Sequence, residues 1–478
     1  MREVKPISID ILNTFKQVDE DRLNKLLADE LKHLDRKIVV LDDDPTGVQT
    51  VHDISVYTDW DKDSMEQGFN EKNSMFFILT NSRGFTVAQT TKAHKEISKN
   101  IVDVSKKVNK DFIIISRSDS TMRGHYPLET NLLKSEVERL SGKLFQGEII
   151  MPFFKEGGRF TIDNVHYVKE GEILVPAGMT EFAKDKSFGY KSSDIGEWCE
   201  EKTKGKYKSS DMIYISSKEL RELNIEAITE KLKKAEGFNK IIVNATDYVD
   251  VKVFTIAFIR AVNSGKEFMF RSAAAITKVL GGVSDKELLT KDELVSKGNT
   301  NGGIILVGSH VNKTTQQLEE LKNCKYPIEF IEFNQHLVLQ ENGLKNEVKR
   351  VIKVVEEKIS RGKTVAVYTR RERFDLDTND KDKQLMISVE ISDAVTSIIG
   401  MLNVRPNFII AKGGITSSDV GTKALRVKKA TVMGQIKPGI PVWMTGKESK
   451  FPNMPYIIFP GNVGEISTLR ESVEILMG

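Results

Sequence analysis

Disulfide chemistry has almost no raw material in this chain: its 478 residues include two cysteines, Cys199 and Cys324. Two cannot build a disulfide framework, and they point to a reducing compartment. An excess of one charge is also missing. Lysine and arginine number 71 against 68 aspartates and glutamates, for a formal net charge of +3. That balance excludes a nucleic-acid binder resting on bulk electrostatics. No apolar stretch approaches the ~20 residues that cross a bilayer; the longest, 76–79 and 304–307, have the length of strands. The opening MREVKPISIDILNTF lacks a continuous apolar run and a small-residue cleavage site, so no signal peptide and a cytoplasmic location are expected. The seven histidines show no H-x-x-x-H spacing, so no zinc site is expected and no residue is assigned as a metal ligand. Walker A, a dinucleotide fingerprint after the first strand of either half, and a G-x-S-x-G elbow are likewise absent.

What is present is a rhythm. Short apolar runs rich in Ile and Val recur at 38–41, 54–57, 75–79, 112–115, 148–151, 212–215 and 241–243, each followed by polar residues and a helix-like stretch. Runs apolar on both faces read as buried parallel strands, and their alternation with helices predicts an α/β layered fold. A polar stretch, 284–301, interrupts the rhythm between Gly281-Gly282 and Gly302-Gly303, with a short helix expected over 286–295. Strands resume at 304–307, 328–331, 364–368, 408–411, 442–444 and 457–459. The expected organisation is therefore a helical N-terminal extension over 1–36, an α/β domain over 37–283 and a smaller α/β domain over 302–478, both with largely parallel sheets.

The chemistry-bearing residues cluster just after the strands, where ligands bind in open α/β sheets. Asp42-Asp43-Asp44-Pro45-Thr46-Gly47 follows the first strand. Adjacent carboxylates are costly unless they serve a cation, a hydroxyl or a metal. One of them could accept the proton of an attacking hydroxyl in phosphoryl transfer. The same residues also fit the D-x-D-x-T pattern of haloacid dehalogenase-type phosphatases, with Asp42 as nucleophile and Asp44 as acid-base. Thr80-Asn81-Ser82-Arg83-Gly84 and Arg117-Ser118-Asp119-Ser120-Thr121-Met122-Arg123-Gly124 follow two further strands. Their planar guanidinium donors suit a carboxylate or phosphate, and the neighbouring hydroxyls suit a sugar. Gly157-Gly158-Arg159-Phe160-Thr161-Ile162-Asp163-Asn164 reads as a hairpin. In the second half, Lys412-Gly413-Gly414-Ile415-Thr416-Ser417, Gly308-Ser309-His310-Val311 and Pro460-Gly461-Asn462-Val463-Gly464 supply glycine turns at three strand ends, suited to close approach of phosphate oxygens.

Taken together, these stretches, with Thr180-Glu181-Phe182-Ala183-Lys184-Asp185 and Gly434-Gln435-Ile436-Lys437-Pro438-Gly439, resemble the four-carbon acid sugar kinase family from about Lys37 onward. The resemblance implies an N-terminal substrate domain, a C-terminal nucleotide domain, and an ATP- and Mg2+-dependent kinase acting on the terminal hydroxyl of threonate, erythronate, a 3-oxo-tetronate or a related acid. It further implies a substrate pocket lined by Asp44, Arg83, Arg117, Ser118, Asp119, Ser120 and Arg123. Asp44 would be the base, with Asp43 the alternative. Ser309, Gly413, Gly414, Ile415, Thr416 and Gly461 would line the ATP site. The chain departs from the family in Val311, where a small hydroxyl residue is usual, and in its third aspartate and Pro45. The competing readings are the phosphatase and a non-catalytic small-molecule sensor. Expected partners are the small molecules and a second copy in a homodimer, with no nucleic acid or membrane.

Overall fold

Lys-Ile-Val-Val-Leu-Asp forms a strand, Lys37–Asp42, buried along its whole length, as residues apolar toward both faces require. The computed structural model describes residues 4–295, 298–374, 376 and 381–478. Two units emerge: Met1–Asp43 with Asp59–Asp285, and Asp44–Thr58 with Lys286–Gly478.

In the first unit the strands run in the order Ile213–Ile215, Asn239–Val243, Gly147–Met151, Phe268–Ser272, Phe112–Arg117, Lys37–Asp42, Met75–Leu79. Every one of these pairings is parallel. Their carboxyl ends therefore lie along one edge, which gathers the loops that follow them. Phe268–Ser272 has no counterpart in the sequence reading: only its first three residues are apolar before Arg271 and Ser272. Glu148 and Lys240 form a fully buried ion pair at 2.5 Å between neighbouring strands. Helix Glu20–Lys32, capped by Asp19, packs Leu23 and Leu27 inward. It is tied to helix Tyr248–Asn263 by Glu30–Arg260 at 2.7 Å and Glu20–Lys252 at 3.0 Å.

A small antiparallel sheet of the same unit has the order Ile7–Ser8, Ile173–Pro176, Val165–Glu170, Arg159–Ile162. The hairpin of Arg159–Ile162 and Val165–Glu170, at the edge of this sheet, turns through Asp163 and Asn164, with φ of 46° and 70°. Asn and Asp tolerate this left-handed backbone, which matches strand twist in a two-residue loop.

The second unit has the order Ser55–Tyr57, Lys429–Lys437, Ile440–Thr445, Pro455–Phe459, Ile409–Lys412, Ile304–Val307, Thr364–Thr369, Ile328–Phe333. The first three pairings are antiparallel and the rest parallel. Residues 44–58, which the sequence reading assigns to the first domain, group here because Ser55–Tyr57 pairs with Lys429–Thr431. Lys429–Lys437 alternates buried and less buried positions, the period of a half-buried strand. The stretch 284–301 is not simply a polar connection. Leu289 and Leu294 enter the core of the second unit, the helix is confined to Lys291–Leu294, and residues 296 and 297 lie outside the described residues. Both cysteines are free. No helix among the described residues is long and apolar enough to cross a membrane.

Replacing buried Leu23 with Ala is expected to cost about 2–4 kcal/mol by removing the inward face of the first helix. Urea denaturation of the first unit's transition checks this, and a midpoint unchanged from the parent would contradict the packing.

Candidate functional site

Asp42 and Arg117 end adjacent parallel strands and are register partners. Arg117 Nη1 donates to Asp42 Oδ1 at 3.0 Å and lies 3.7 Å from Asp43 Oδ1, and all three side chains are buried. Arg83, on the short 3-10 turn Ser82–Gly84 after strand Met75–Leu79, grips Asp43 with both arms of its fork. Nη2 donates to Oδ1 at 2.6 Å and Nε to Oδ2 at 3.2 Å. Its Nη1 lies 3.9 Å from Asp119 Oδ1. Asp119 in turn accepts from Arg123 Nε at 2.8 Å, from Arg123 Nη2 at 3.3 Å and from the Thr121 hydroxyl. Arg123 Nη1 ends 3.6 Å from Asp185.

Carboxylate and guanidinium thus alternate from Asp42 to Asp185. Burial alone would push the Asp119 carboxyl up. The guanidinium groups of Arg123 and Arg83, with hydrogen bonds from Arg123 and Thr121, outweigh burial and hold it far below the ordinary carboxylate range.

The hairpin adds residues that the sequence reading left aside or mentioned only in passing. Arg123 lies 5.0 Å over the Phe182 ring and Arg159 lies 5.7 Å from the same ring, a cation–π arrangement. His166, fully buried, reaches the Ser120 carbonyl through Nε2 at 2.7 Å, while its Nδ1 meets the Thr161 hydroxyl at 3.0 Å. The Tyr190 hydroxyl donates to the Thr121 carbonyl at 2.7 Å. The 118–124 loop is therefore held from outside by a histidine and a tyrosine. The signal for His166 was its place on the strand after a turn, opposite Thr161.

Of the sequence-predicted substrate residues, Arg83, Arg117, Asp119 and Arg123 come together directly, joined by Asp43, the alternative base. Ser118 is fully buried, its N–H donating to the Ser272 carbonyl at 2.9 Å. Ser120 contributes its carbonyl to His166. Asp44 begins the stretch that groups with the second unit; its Oδ1 accepts from the Thr46 N–H at 2.8 Å and from the Thr46 hydroxyl.

In the second unit, strands Pro455–Phe459, Ile409–Lys412 and Ile304–Val307 are consecutive and parallel, so the loops after them share one edge. Gly413 has φ 124°, ψ 143°, a conformation that favours glycine, and its N–H donates to the Phe459 carbonyl at 2.9 Å. A Cβ there would sit 3.0 Å from Ser309 Cβ and 3.2 Å from Thr416 Oγ1. One at Gly461 would sit 3.5 Å from Ser309 Oγ. Ser309, Gly413, Thr416 and Gly461 therefore converge. Gly414 has open space where a Cβ would go, and Ile415 is 69% exposed.

Lys412, buried at the strand end, donates through Nζ to the carbonyls of Pro460 at 2.7 Å and Gly461 at 3.2 Å. Burial, aided by nearby Lys313 and Arg371, lowers its pKa to about 6. Arg371, after strand Thr364–Thr369, donates to the Ser309 carbonyl at 2.6 Å. Sequence reasoning missed both as site residues, although each lies at or just after a strand end, the position that singled out the other loops.

The sequence matches a family model described as a sugar-binding N-terminal domain over residues 38–280 and one described as a nucleotide-binding C-terminal domain over 304–469. Among solved structures, it is similar to a Salmonella typhimurium LT2 protein whose suggested role is that of a tRNA synthase. The identity is 14% and the TM-score 0.64, over 92% of this chain and 98% of that one. It is also similar to a Haemophilus influenzae protein of a family of unknown function, at 17% identity and TM-score 0.57 over 92% and 100%. At these identities the likeness speaks for the fold alone. No curated protein gives a significant match.

Burial lowers the His166 pKa from 6.5 to about 4. Between those values the unfolded chain binds a proton that the folded chain does not. His166 therefore stabilises fully above pH 6.5, and the contribution, up to about 3 kcal/mol, is lost as pH falls toward 4. Urea denaturation across this range should show a steeper acid loss for the parent than for His166→Asn, and parallel profiles would refute the assignment.

Proposed function

The chain belongs to the four-carbon acid sugar kinase family, and from that premise we propose that it transfers the γ-phosphoryl group of ATP to the terminal hydroxyl of a small sugar acid such as threonate, erythronate or a 3-oxo-tetronate. The supporting observation is a division of labour. A set of guanidinium, carboxylate and hydroxyl groups gathers at the strand ends of the unit matched by the sugar-binding model. A glycine-lined cradle gathers at the strand ends of the unit matched by the nucleotide-binding model.

In this reading Asp43, Arg83, Arg117, Ser118, Asp119, Ser120 and Arg123 line the acid's pocket, and Asp44 accepts the hydroxyl proton. The substrate oxygen bonds to the γ-phosphorus as the bond to the bridging oxygen breaks, and ADP leaves. Ser309, Gly413, Gly414, Ile415, Thr416 and Gly461 receive the nucleotide, with backbone N–H groups approaching its phosphates. Mg2+ asks for hard oxygen donors. Asp42 and Asp43 are already gripped by Arg117 and Arg83, so the nucleotide phosphates, together with the Ser309 and Thr416 hydroxyls, would hold the ion. When bound it offsets phosphate charge. The phosphatase reading asks Asp42 to attack phosphorus, yet that carboxylate is 1% exposed and accepts from Arg117.

The test is Mg2+-dependent ADP release over a panel of four- to six-carbon sugar acids. Turnover with at least one acid is expected; phosphate release from sugar phosphates without ATP would favour the phosphatase, and binding without turnover the sensor. Asp44→Asn should lower kcat about 10²–10⁴-fold with the acid's KM little changed. Gly413→Ala should raise the KM for ATP about tenfold or more, since its φ and its contact with Ser309 both resist a side chain. A variant of either kind with parental kinetics would remove that residue from the site.

A further inference from the structure

We propose that Arg159, on the edge of the hairpin, is the anchor for the substrate's carboxylate, and that it makes this site select acids over neutral polyols of the same chain length. The inference rests on the kinase reading and deepens it.

The other arginines at this edge of the first unit are engaged. Arg83 is bidentate on Asp43, Arg117 lies on Asp42, and Arg123 is on Asp119 with Asp185 beyond. A guanidinium already neutralised in this way can still offer a remaining N–H to a hydroxyl, but it holds little net charge for an incoming anion. Among the described residues Arg271 has no carboxylate within 4.0 Å either, yet it is nearly enclosed and spends Nη2 on the Arg123 carbonyl at 2.8 Å. Arg159 is different. It is partly open to solvent, its Nη1 donates to the Gly157 carbonyl, and among the described residues no acidic side chain lies within ion-pair distance of it. Its Nε, like those of Arg117 and Arg271, is enclosed and has no hydrogen-bond partner among the described residues. A buried donor left unmade is costly, and a cation in that position asks for an anion.

The placement favours a ligand rather than a chance surface charge. Arg159 begins strand Arg159–Ile162, and its backbone is tied to Phe154 in both directions, at 2.9 and 3.1 Å. Its guanidinium shares the Phe182 ring with Arg123, which holds the plane while leaving the fork's edge for a planar carboxylate. Asp119 acts on it electrostatically without pairing with it, so Arg159 borders the hydroxyl-reading groups without being consumed by them. A carboxylate on Arg159 would thus lie beside the 118–124 loop, next to groups suited to the sugar hydroxyls.

The test compares the parent with Arg159→Gln and Arg159→Lys. It measures kcat and KM for the best acid of the panel and for its neutral polyol, with thermal melting as the check on folding. Arg159→Gln should raise the KM for the acid on the order of 100-fold, with kcat changed far less. The preference for acid over polyol should fall by the same factor, and Arg159→Lys should recover part of it. An acid KM within threefold of the parent's in both variants, with turnover intact, would overturn the anchor while leaving the kinase. If the parent binds an acid by calorimetry but does not phosphorylate it, the kinase reading fails alone. The anchor is then judged by binding: weakened in Arg159→Gln supports it, unchanged refutes it. A parent that binds no acid of the panel overturns both. If Arg159→Gln melts as an unfolded chain, the acid-to-polyol ratio of Arg159→Lys decides in the same sense.

Discussion

The first unit depends on pairing buried charge at the ends of its parallel strands. Asp42, Asp43 and Asp119 are carboxylates withdrawn from water, and an ion in that position is costly unless a partner of opposite sign meets it in good geometry. The partners come from neighbouring strand ends, and the strands' register sets which meets which: Asp42 sits opposite Arg117 because Lys37 sits opposite Phe112. A slip of one residue would break that pair and leave both charges buried away from their partners. Sheet register and charge pairing are therefore one constraint, imposed from two sides.

Much of this was legible. Each charged loop directly follows a short run that is apolar on both faces, and the rule that ligands gather at strand carboxyl ends picks out Asp42–Asp44, Arg83 and the 117–123 stretch without any coordinates. What the sequence could not say is what each arginine touches. Arg83 and Asp43 are 40 residues apart, and the same motif would read equally well if both faced a ligand. The sequence reading offered the planar donors of Arg83 and Arg123 to a carboxylate or phosphate, and the structure finds both forks on aspartates. The hairpin was read as a plain turn because alternation along 159–168 explains itself as β structure. That it carries Arg159 and His166 up to the 118–124 loop follows only from tertiary packing.

The second unit is the same lesson in a different chemistry. Its glycine turns were visible as turns, but their convergence requires that the strands ending at Val307, Lys412 and Phe459 be neighbours. Strand order is a long-range property with no local signature. The stretch 44–58 is the sharper case. Its strand is short and apolar like those around it, and only its antiparallel partner in Lys429–Lys437 tells that it groups away from the residues that flank it in sequence. Lys412 belongs here too. A lysine closing a buried strand looks like an edge residue until its ammonium is found on the carbonyls of Pro460 and Gly461, tying the last loop to the middle one.

The two kinds of arginine in the first unit suggest how a small site can separate shape from charge. A guanidinium has five N–H donors, and a carboxylate held bidentately takes two of them, fixing the plane and offsetting the charge while leaving other edges to hydroxyls. Arginines locked in this way are preorganised, so they lose little freedom on binding and serve stereochemistry. They are poor at rewarding a ligand's negative charge, since an approaching anion meets aspartates as well. Selection for an acid then calls for a cation outside the alternating chain, near enough to share its ligand and far enough to keep its charge. Arg159 occupies that position: it is set on a rigid strand, stacked on Phe182, and faces Asp119 without pairing with it.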